Sequence, residues 1–235
     1  MNPTGYRETP LQVAGLVCAW TAALPPGADP YVQRVVPDGC VDLVWWGGGL
    51  LVAGPDTGPA PALIRPGEAM VAVRFGPGAA PPVLGAPADA LRDVRAPLRE
   101  LWGAEADRLA EAVAAAGSVE ERGAALVAAV TARAEAAGPA DPLVPAVVRG
   151  LARGSVRAVS DELGMGERQL RRRSLAAFGY GPKTLQRVLR FQRALRLARA
   201  GEPLADVAYA AGYTDQAHLA HEVRDLAGEP IRALL

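Results

Sequence analysis

Cysteine and histidine are scarce in this chain of 235 residues, which contains only two of each. Cys18 and Cys40 are too few for a disulfide framework or for a zinc site built from four thiolates. No nucleophile–base set or phosphate-binding loop appears around His218 and His221. We therefore predict no catalytic residue, no metal site and no cofactor, and we do not expect an enzyme.

Lysine is almost absent, and the positive charges are unevenly distributed. Lys183 is the only lysine, and the formal net charge is zero. Residues 1–140 carry 10 arginines against 15 acidic residues, whereas residues 141–235 carry 15 basic against 10 acidic residues. Between residues 153 and 199 the ratio rises to 12 basic against 3 acidic residues. This asymmetry indicates a C-terminal domain that faces nucleic acid, next to an acidic partner domain.

Long hydrophobic runs are also missing. The longest apolar stretches, such as residues 16–24, are interrupted and too short to cross a membrane. The N-terminus lacks a basic region followed by an apolar core and a cleavage site, the pattern of a signal peptide. We therefore expect a cytoplasmic protein with no membrane partner.

Short apolar runs separated by glycine and proline fill the first third of the sequence. This punctuation is typical of a small β-barrel or β-sandwich, and it excludes helices longer than a turn or two. The predicted strands are residues 11–20, 31–36, 40–46, 50–52 and 69–75.

The pattern changes near residue 89, where apolar residues such as Leu91, Val94 and Leu98 begin to recur at helical spacing. These helices either cover the β-domain or form a dimer interface. A Gly-Pro-Ala-Asp-Pro segment at 138–142 then predicts a linker. The predicted fold class is α+β. Its β-rich effector or dimerisation domain spans residues 1–138, and its all-α DNA-binding domain spans residues 139–235.

A first helix–turn–helix pattern runs from residue 156 to 178. One short helix stops at Gly164, and a second starts near Glu167 with Leu170, Ser174 and Phe178 on one face. Arginine on the other face suits reading of the major groove, because it pairs with two acceptors on guanine and also reaches phosphate. A solvated cationic face is the alternative. The arginines on that face are Arg168, Arg171 and Arg172.

A bridging helix follows from Gly181-Pro182, and a second helix–turn–helix pattern runs from 204 to 227. On the bridging helix, Arg187, Arg190 and Arg193 are predicted to contact the DNA backbone or to provide solubility. In the second pattern a helix stops at Gly212, and Asp215 is the predicted N-cap of the next. Its inward residues are Leu219, Val223 and Leu226, and its outward residues are Ala217, Ala220, His221 and Arg224.

This second pattern, LADVAYAAGYTDQAHLAHEVRDLAGEP at 204–230, resembles the signature of AraC/XylS-family transcription regulators. Residues 144–201 resemble the preceding part of the same domain. The resemblance implies seven helices, of which two recognition helices enter adjacent segments of the major groove. It implies base contacts from Arg168, Arg171 and Arg172, then from Gln216, Ala217 and His221.

Two departures from that family concern the first recognition helix. The family usually has a large apolar residue where this chain has Ser174, and commonly a serine cap where it has Gly166. A serine on the core face loses apolar burial worth about 2 kcal/mol, and an outward Leu175 indicates a local shift of the helix. From residue 202 onward there are 2 arginines against 6 acidic residues. Our hypothesis is that the first recognition helix carries most of the sequence discrimination.

The segments PDGCVDLVWW at 37–46 and VRFGPGA at 73–79 together resemble an uncharacterised sensor-like domain that precedes AraC-type readers. The candidate ligand contacts are Asp42, Trp45, Trp46 and Arg74. The alternative is structural, with Asp38-Gly39 forming a turn and Asp42 pairing with Arg74. Trp45 and Trp46 are adjacent on a strand and must point to opposite faces.

We predict a sequence-specific, DNA-binding transcription regulator. Its expected partners are double-stranded DNA, a small-molecule effector, RNA polymerase and a second copy of the chain. The rival hypothesis is a thiol-based stress or DNA-repair sensor that uses Cys40, although the neighbouring acidic residues would raise the pKa of that thiol. A third hypothesis makes the N-terminal domain an oligomerisation module without a ligand.

Overall fold

The computed structural model describes residues 5–138 and 141–235. Residues 139 and 140, in the middle of the predicted linker, lie outside the described residues. No helix in the described ranges is both long enough and apolar enough to cross a membrane.

The N-terminal half is built on a six-stranded antiparallel sheet with strand order β1-β2-β7-β4-β5-β8, and β3 and β6 form a separate two-stranded sheet. The predicted mixed fold class is confirmed, although the sheet does not close into a barrel. Sequence reasoning found the longer strands and missed β1, β6 and β8. The strands are β1 Arg7–Pro10, β2 Leu16–Ala23, β3 Tyr31–Gln33, β4 Val41–Trp46, β5 Gly49–Ala53, β6 Ala62–Ile64, β7 Ala69–Phe75 and β8 Arg95–Pro97.

Both faces of the main sheet are covered. On one face, Leu43 and Val73 pack with Leu126 and Val130 in a continuous core. On the other face, Ile64 of the small sheet packs in a second core with residues such as Ala72. Because β7 is buried on both sides, it is apolar at nearly every position rather than at every second one. The helices that follow the strands therefore cover the sheet, which was one of their two predicted roles; the other was a dimer interface.

The helical pattern predicted from residue 89 is wrong for its first part. Residues Ala88–Ala90 form a single 3-10 turn, and β8 then pairs with β5, placing Ala96 opposite Val52. Pro97 has no N–H and is tolerated at this edge of the sheet. Apart from α1, the helices begin only after it, and the helices of the N-terminal half are α1 Ala80–Leu84, α2 Arg99–Trp102, α3 Ala104–Ala115 and α4 Val119–Ala137.

The C-terminal half consists of helices arranged around one long bridging helix, α8 (Pro182–Arg199). The other helices are α5 Leu143–Leu151, α6 Val156–Glu162, α7 Glu167–Phe178, α9 Leu204–Ala211 and α10 Gln216–Ala227, followed by the 3-10 helix Ile231–Leu234. The two ends of α8 belong to different hydrophobic cores. Leu185 and Val188, near its start, pack in a first core with α5, α6 and α7. Phe191 and Leu195, further along, pack in a second core with α9 and α10. Each core closes one helix–turn–helix motif, so α8 ties the two motifs together.

Capping differs between the two recognition helices, α7 and α10. Asp215 caps α10 as predicted, because its carboxylate accepts a hydrogen bond of 2.7 Å from the backbone N–H of His218. Gly166 precedes α7 and supplies no side-chain cap. The first recognition helix therefore begins without the cap that the second one has.

Ser174 lies inside the first core and is only 1% exposed. Its hydroxyl has no hydrogen-bond partner among the described residues. The helix keeps its expected register, because Leu170 and Phe178 are buried on the same face. The predicted local shift is therefore wrong, and the chain buries an unpaired hydroxyl instead.

We expect Ser174→Ala to raise the free energy of unfolding by about 1 kcal/mol, since it removes a buried hydroxyl that nothing compensates. Ser160 is the matched control, because it is 4% exposed and its hydroxyl donates to the carbonyl of Met165. Ser160→Ala should lower the free energy of unfolding by about 1 kcal/mol. Urea unfolding of the two variants measures both changes, and changes of the same sign contradict this account.

Candidate DNA-binding surface and adjoining cavity

The outer face of α7 carries free positive charge. Arg168, Arg171 and Arg172 are exposed, and none has a carboxylate within 4 Å in the part of the chain that the structure describes. Arg173, the next residue, lies 3.5 Å from Asp141. Three unpaired guanidinium groups on one helical face can bind phosphate or the edge of guanine without first breaking an ion pair.

The outer face of α10 is exposed but chemically sparse. All four predicted contacts, Gln216, Ala217, His221 and Arg224, are exposed, whereas Ala220 is half-buried. Ala217 reaches only an apolar group such as the methyl of thymine. The imidazole of His221 lies 3.8 Å from the carboxylate of Asp225, so any DNA group that contacts His221 also meets a negative charge nearby. The face is oriented as predicted and offers fewer base-reading groups than α7.

Arg187 and Arg190 both have partners within the protein. Arg190 donates to both carboxylate oxygens of Glu222, at 2.6 and 2.7 Å, and its guanidinium lies 4.5 Å from the ring centre of Tyr213. Arg187 lies 3.4 Å from the same carboxylate. Glu222 is 6% exposed, and it anchors α10 to α8. Sequence reasoning missed this anchor, and the predicted phosphate contacts of the two arginines stay predictions.

A cleft of about 750 Å³ opens on the face of the main sheet opposite α3 and α4. Asp42, Trp46 and Arg74, three of the four predicted ligand contacts, line it, and their contact with a ligand stays a prediction. Trp45 does not, because its side chain enters the core on the other face and lies under the guanidinium of Arg122 at 4.6 Å. The two adjacent tryptophans thus point to opposite faces, as the geometry of a strand requires, and Trp45 does not line the cleft.

The predicted pair of Asp42 and Arg74 exists and also forms part of the wall of the cleft. Nε and Nη2 of Arg74 donate to the two carboxylate oxygens at 3.0 and 3.1 Å. Asp38 forms the predicted turn, accepting a hydrogen bond of 2.8 Å from the N–H of Cys40, with Gly39 at a φ of +78°. Burial raises the pKa of Asp38 above its ordinary value. The structural and the functional interpretations of these residues are therefore compatible.

The thiol of Cys40 is poorly suited to react. Burial, followed by the charge of Asp38, raises its pKa well above the ordinary value of a cysteine. Burial likewise raises the pKa of Cys18 to about 11. Since the thiolate is the reactive species, both residues stay protonated at neutral pH. This observation disfavours the thiol-sensor hypothesis.

The loops that form the cleft also hold the helical domain. The hydroxyl of Tyr180 donates to the backbone carbonyl of Asp56 at 2.5 Å, and Asp56 lines the cleft. The side chain of Gln192 donates to the carbonyl of Pro37 at 2.7 Å, directly before Asp38. A second cavity of about 300 Å³ continues from the cleft to α8 and is lined by both Arg74 and Gln192. The cleft and the helical domain of residues 141–235, here called the reader, therefore share a wall.

The structure joins a helical domain that presents two helix–turn–helix motifs to a β-rich domain with a cleft. Comparison with protein families agrees with this division. Residues 159–235 match the model of a helix-turn-helix domain, and residues 13–97 match a domain of unknown function (DUF6597). The C-terminal domain of the chain is a helix–turn–helix domain of the AraC type, so this predicted resemblance is confirmed for that domain.

Among solved structures, the chain is similar to ToxT from Vibrio cholerae. ToxT from strain O395 is 10% identical with a TM-score of 0.45, over 96% of this chain and 95% of that one. Wild-type ToxT from strain SCE256 with a bound unsaturated fatty acid is also 10% identical, with a TM-score of 0.46 over 100% and 96% of the two chains. No curated protein sequence matches the chain.

Proposed function

We propose that this protein reads duplex DNA with α7 and α10 and changes its affinity for DNA when a small molecule occupies the cleft. In this proposal Arg168, Arg171 and Arg172 contact bases and phosphates from α7. The contacts from α10 are Gln216, Ala217, His221 and Arg224. The unpaired, exposed arginines of α7 support the first part of the proposal, because their charge is available to DNA.

The wall that the cleft shares with the reader supports the second part of the proposal, in which occupation of the cleft changes the affinity for DNA. Asp56 lines the cleft with its side chain and accepts the hydroxyl of Tyr180 with its backbone. Pro37, which accepts from Gln192 of α8, directly precedes the cleft residue Asp38. A ligand that moves either loop must therefore alter how the reader is held. We place the boundary between the two domains at residues 138–139.

The coupling follows ordinary linkage. A ligand that binds one arrangement of the two domains more tightly shifts the population toward that arrangement. The factor by which the ligand changes the affinity for DNA equals the factor by which DNA changes the affinity for the ligand. A coupling free energy of about 1–3 kcal/mol is typical of such systems. A second copy of the chain and RNA polymerase stay predictions as further partners.

Selection of bound duplexes from a random pool by the full chain tests the function. Base contacts from α7 and α10 should enrich a defined motif, because each wrong base pair costs about 1–3 kcal/mol. A chain that binds every duplex alike, with no enriched motif at physiological salt, contradicts the proposal.

A further inference from the structure

The cleft on the main sheet has a fixed aromatic wall. Trp20 and Trp46 both line it. The indole N–H of Trp20 donates to Asp42, and that of Trp46 to Glu68, each at 3.2 Å. A volume of about 750 Å³ suits a small organic molecule. Apolar side chains continue the lining, namely Val44, Leu51 and Met70.

Where the cleft meets the smaller cavity, carboxylates outnumber guanidinium groups around Arg74: Asp38 and Asp42 line both cavities, and Glu8 lines the smaller one. The guanidinium of Arg74 binds Asp42 with two hydrogen bonds, and its Nη1 lies 3.4 Å from Glu8 and 4.0 Å from Asp38. Burial alone would lower the pKa of Arg74, yet Asp42 and Asp38 raise it above its ordinary value. Arg74 is thus one fixed positive charge facing three carboxylates, and its donors are already engaged.

All but one of the other arginines around the two cavities are paired with a carboxylate. Arg199, which lines the smaller cavity beside α8, donates to the backbone carbonyl of Leu234 at 3.2 Å. It is the one lining arginine without a carboxylate partner among the residues that the structure describes. The remaining arginines are paired: Arg95 with Asp56 at 2.8 Å, Arg65 with Glu68 at 3.7 Å and Arg34 with Glu229 at 2.8 Å.

We propose that the cleft binds an organic cation, an amine with an apolar or aromatic body. The ammonium group lies beside Asp38, where the cleft meets the smaller cavity that Glu8 lines, and the body packs on Trp20 and Trp46. A cation near an indole is further stabilised by the negative face of the ring, whereas a carboxylate ligand would meet three carboxylates and an Arg74 that is already occupied. This inference rests on the proposed function of the cleft as an effector site.

Calorimetric titration of the full chain with two matched probes at pH 7 tests the inference. The probes are 2-phenylethylamine and 3-phenylpropionate, which share the phenyl body and differ in the sign of their charge. We expect the amine to bind at least about 10-fold more tightly, since a hydrogen bond to a charged group is worth that much. Asp38→Asn should weaken amine binding about 10-fold, because its amide still accepts from Cys40 but carries no charge.

Asp29→Asn is the matched control, because Asp29 is exposed and lines neither cavity; it should leave amine binding unchanged. Equal or tighter binding of the acid overturns the inference. Unchanged amine binding by Asp38→Asn overturns it too, as does no binding of either probe at millimolar concentration. The titration measures binding of the probe directly and does not depend on DNA. If the amine fails to bind as expected while the chain still enriches a DNA motif, the organic cation is rejected and the regulator function remains.

Discussion

Replacing Arg172 by alanine should weaken binding to a selected duplex by about 10- to 100-fold, the cost of losing a bidentate contact with a base. Arg172 is exposed on α7 and has no carboxylate within 4 Å among the described residues. Arg171→Ala should behave similarly. His221→Ala on α10 should cost less than about 5-fold, since its imidazole lies beside Asp225 and a lost hydrogen bond is worth about 1 kcal/mol.

Fluorescence anisotropy at one stated salt concentration, on the selected duplex and on a scrambled one, separates affinity from specificity. Arg193→Ala is the control, because Arg193 is an exposed arginine of α8 outside both recognition helices. It should weaken both duplexes about equally, as a phosphate contact does. Equal losses of specificity in the Arg172 and His221 variants would falsify the unequal division of reading between α7 and α10.

Replacing Gly179 by alanine should separate the reader from the β-rich domain. Gly179 ends α7 with a φ of +74°, and a Cβ there would lie 2.6 Å from the ring of Pro55 and 3.0 Å from the carbonyl oxygen of Ala88. Left-handed backbone at alanine costs about 1–2 kcal/mol, and overpacking adds about 1–3 kcal/mol. We therefore expect a loss of stability of about 2–5 kcal/mol, together with opening of the domain junction.

Gly164→Ala is the control for backbone strain alone. Gly164 has a φ of +60°, and no atom lies within 4 Å of its added Cβ. It should lose only the strain, about 1–2 kcal/mol, and keep the two domains docked. Thermal unfolding and the radius of gyration from small-angle scattering measure both effects. Equal losses and equal radii in the two variants mean that Gly179 does not hold the junction.

The second helix–turn–helix motif was largely predictable from the sequence. Its glycine stop at Gly212, its Asp215 cap and its buried stripe through Leu219 and Val223 all depend on residues within one or two helical turns. Local signals of that kind need no knowledge of the rest of the chain. The same is true of the buried face that contains Ser174 in α7.

Features that depend on distant partners could not be predicted in this way. Strand β8 exists because it pairs with β5, and the spacing of Leu91, Val94 and Leu98 fits a helix equally well. The sequence required that Trp45 and Trp46 face opposite ways, but only the register of β4 against β7 decides which faces the cleft. The anchor between Arg190 and Glu222 joins residues 32 positions apart, which no local pattern indicates.

The motif enriched from a random duplex pool tests the central claim, tandem but unequal reading of DNA, most directly. Two recognition helices held by α8 should enrich two blocks of base preference, centred about 10 base pairs apart. The block read by α7 should carry more sequence information, because α7 offers Arg168, Arg171 and Arg172. No enriched motif, a single block, or two equally informative blocks would contradict the account.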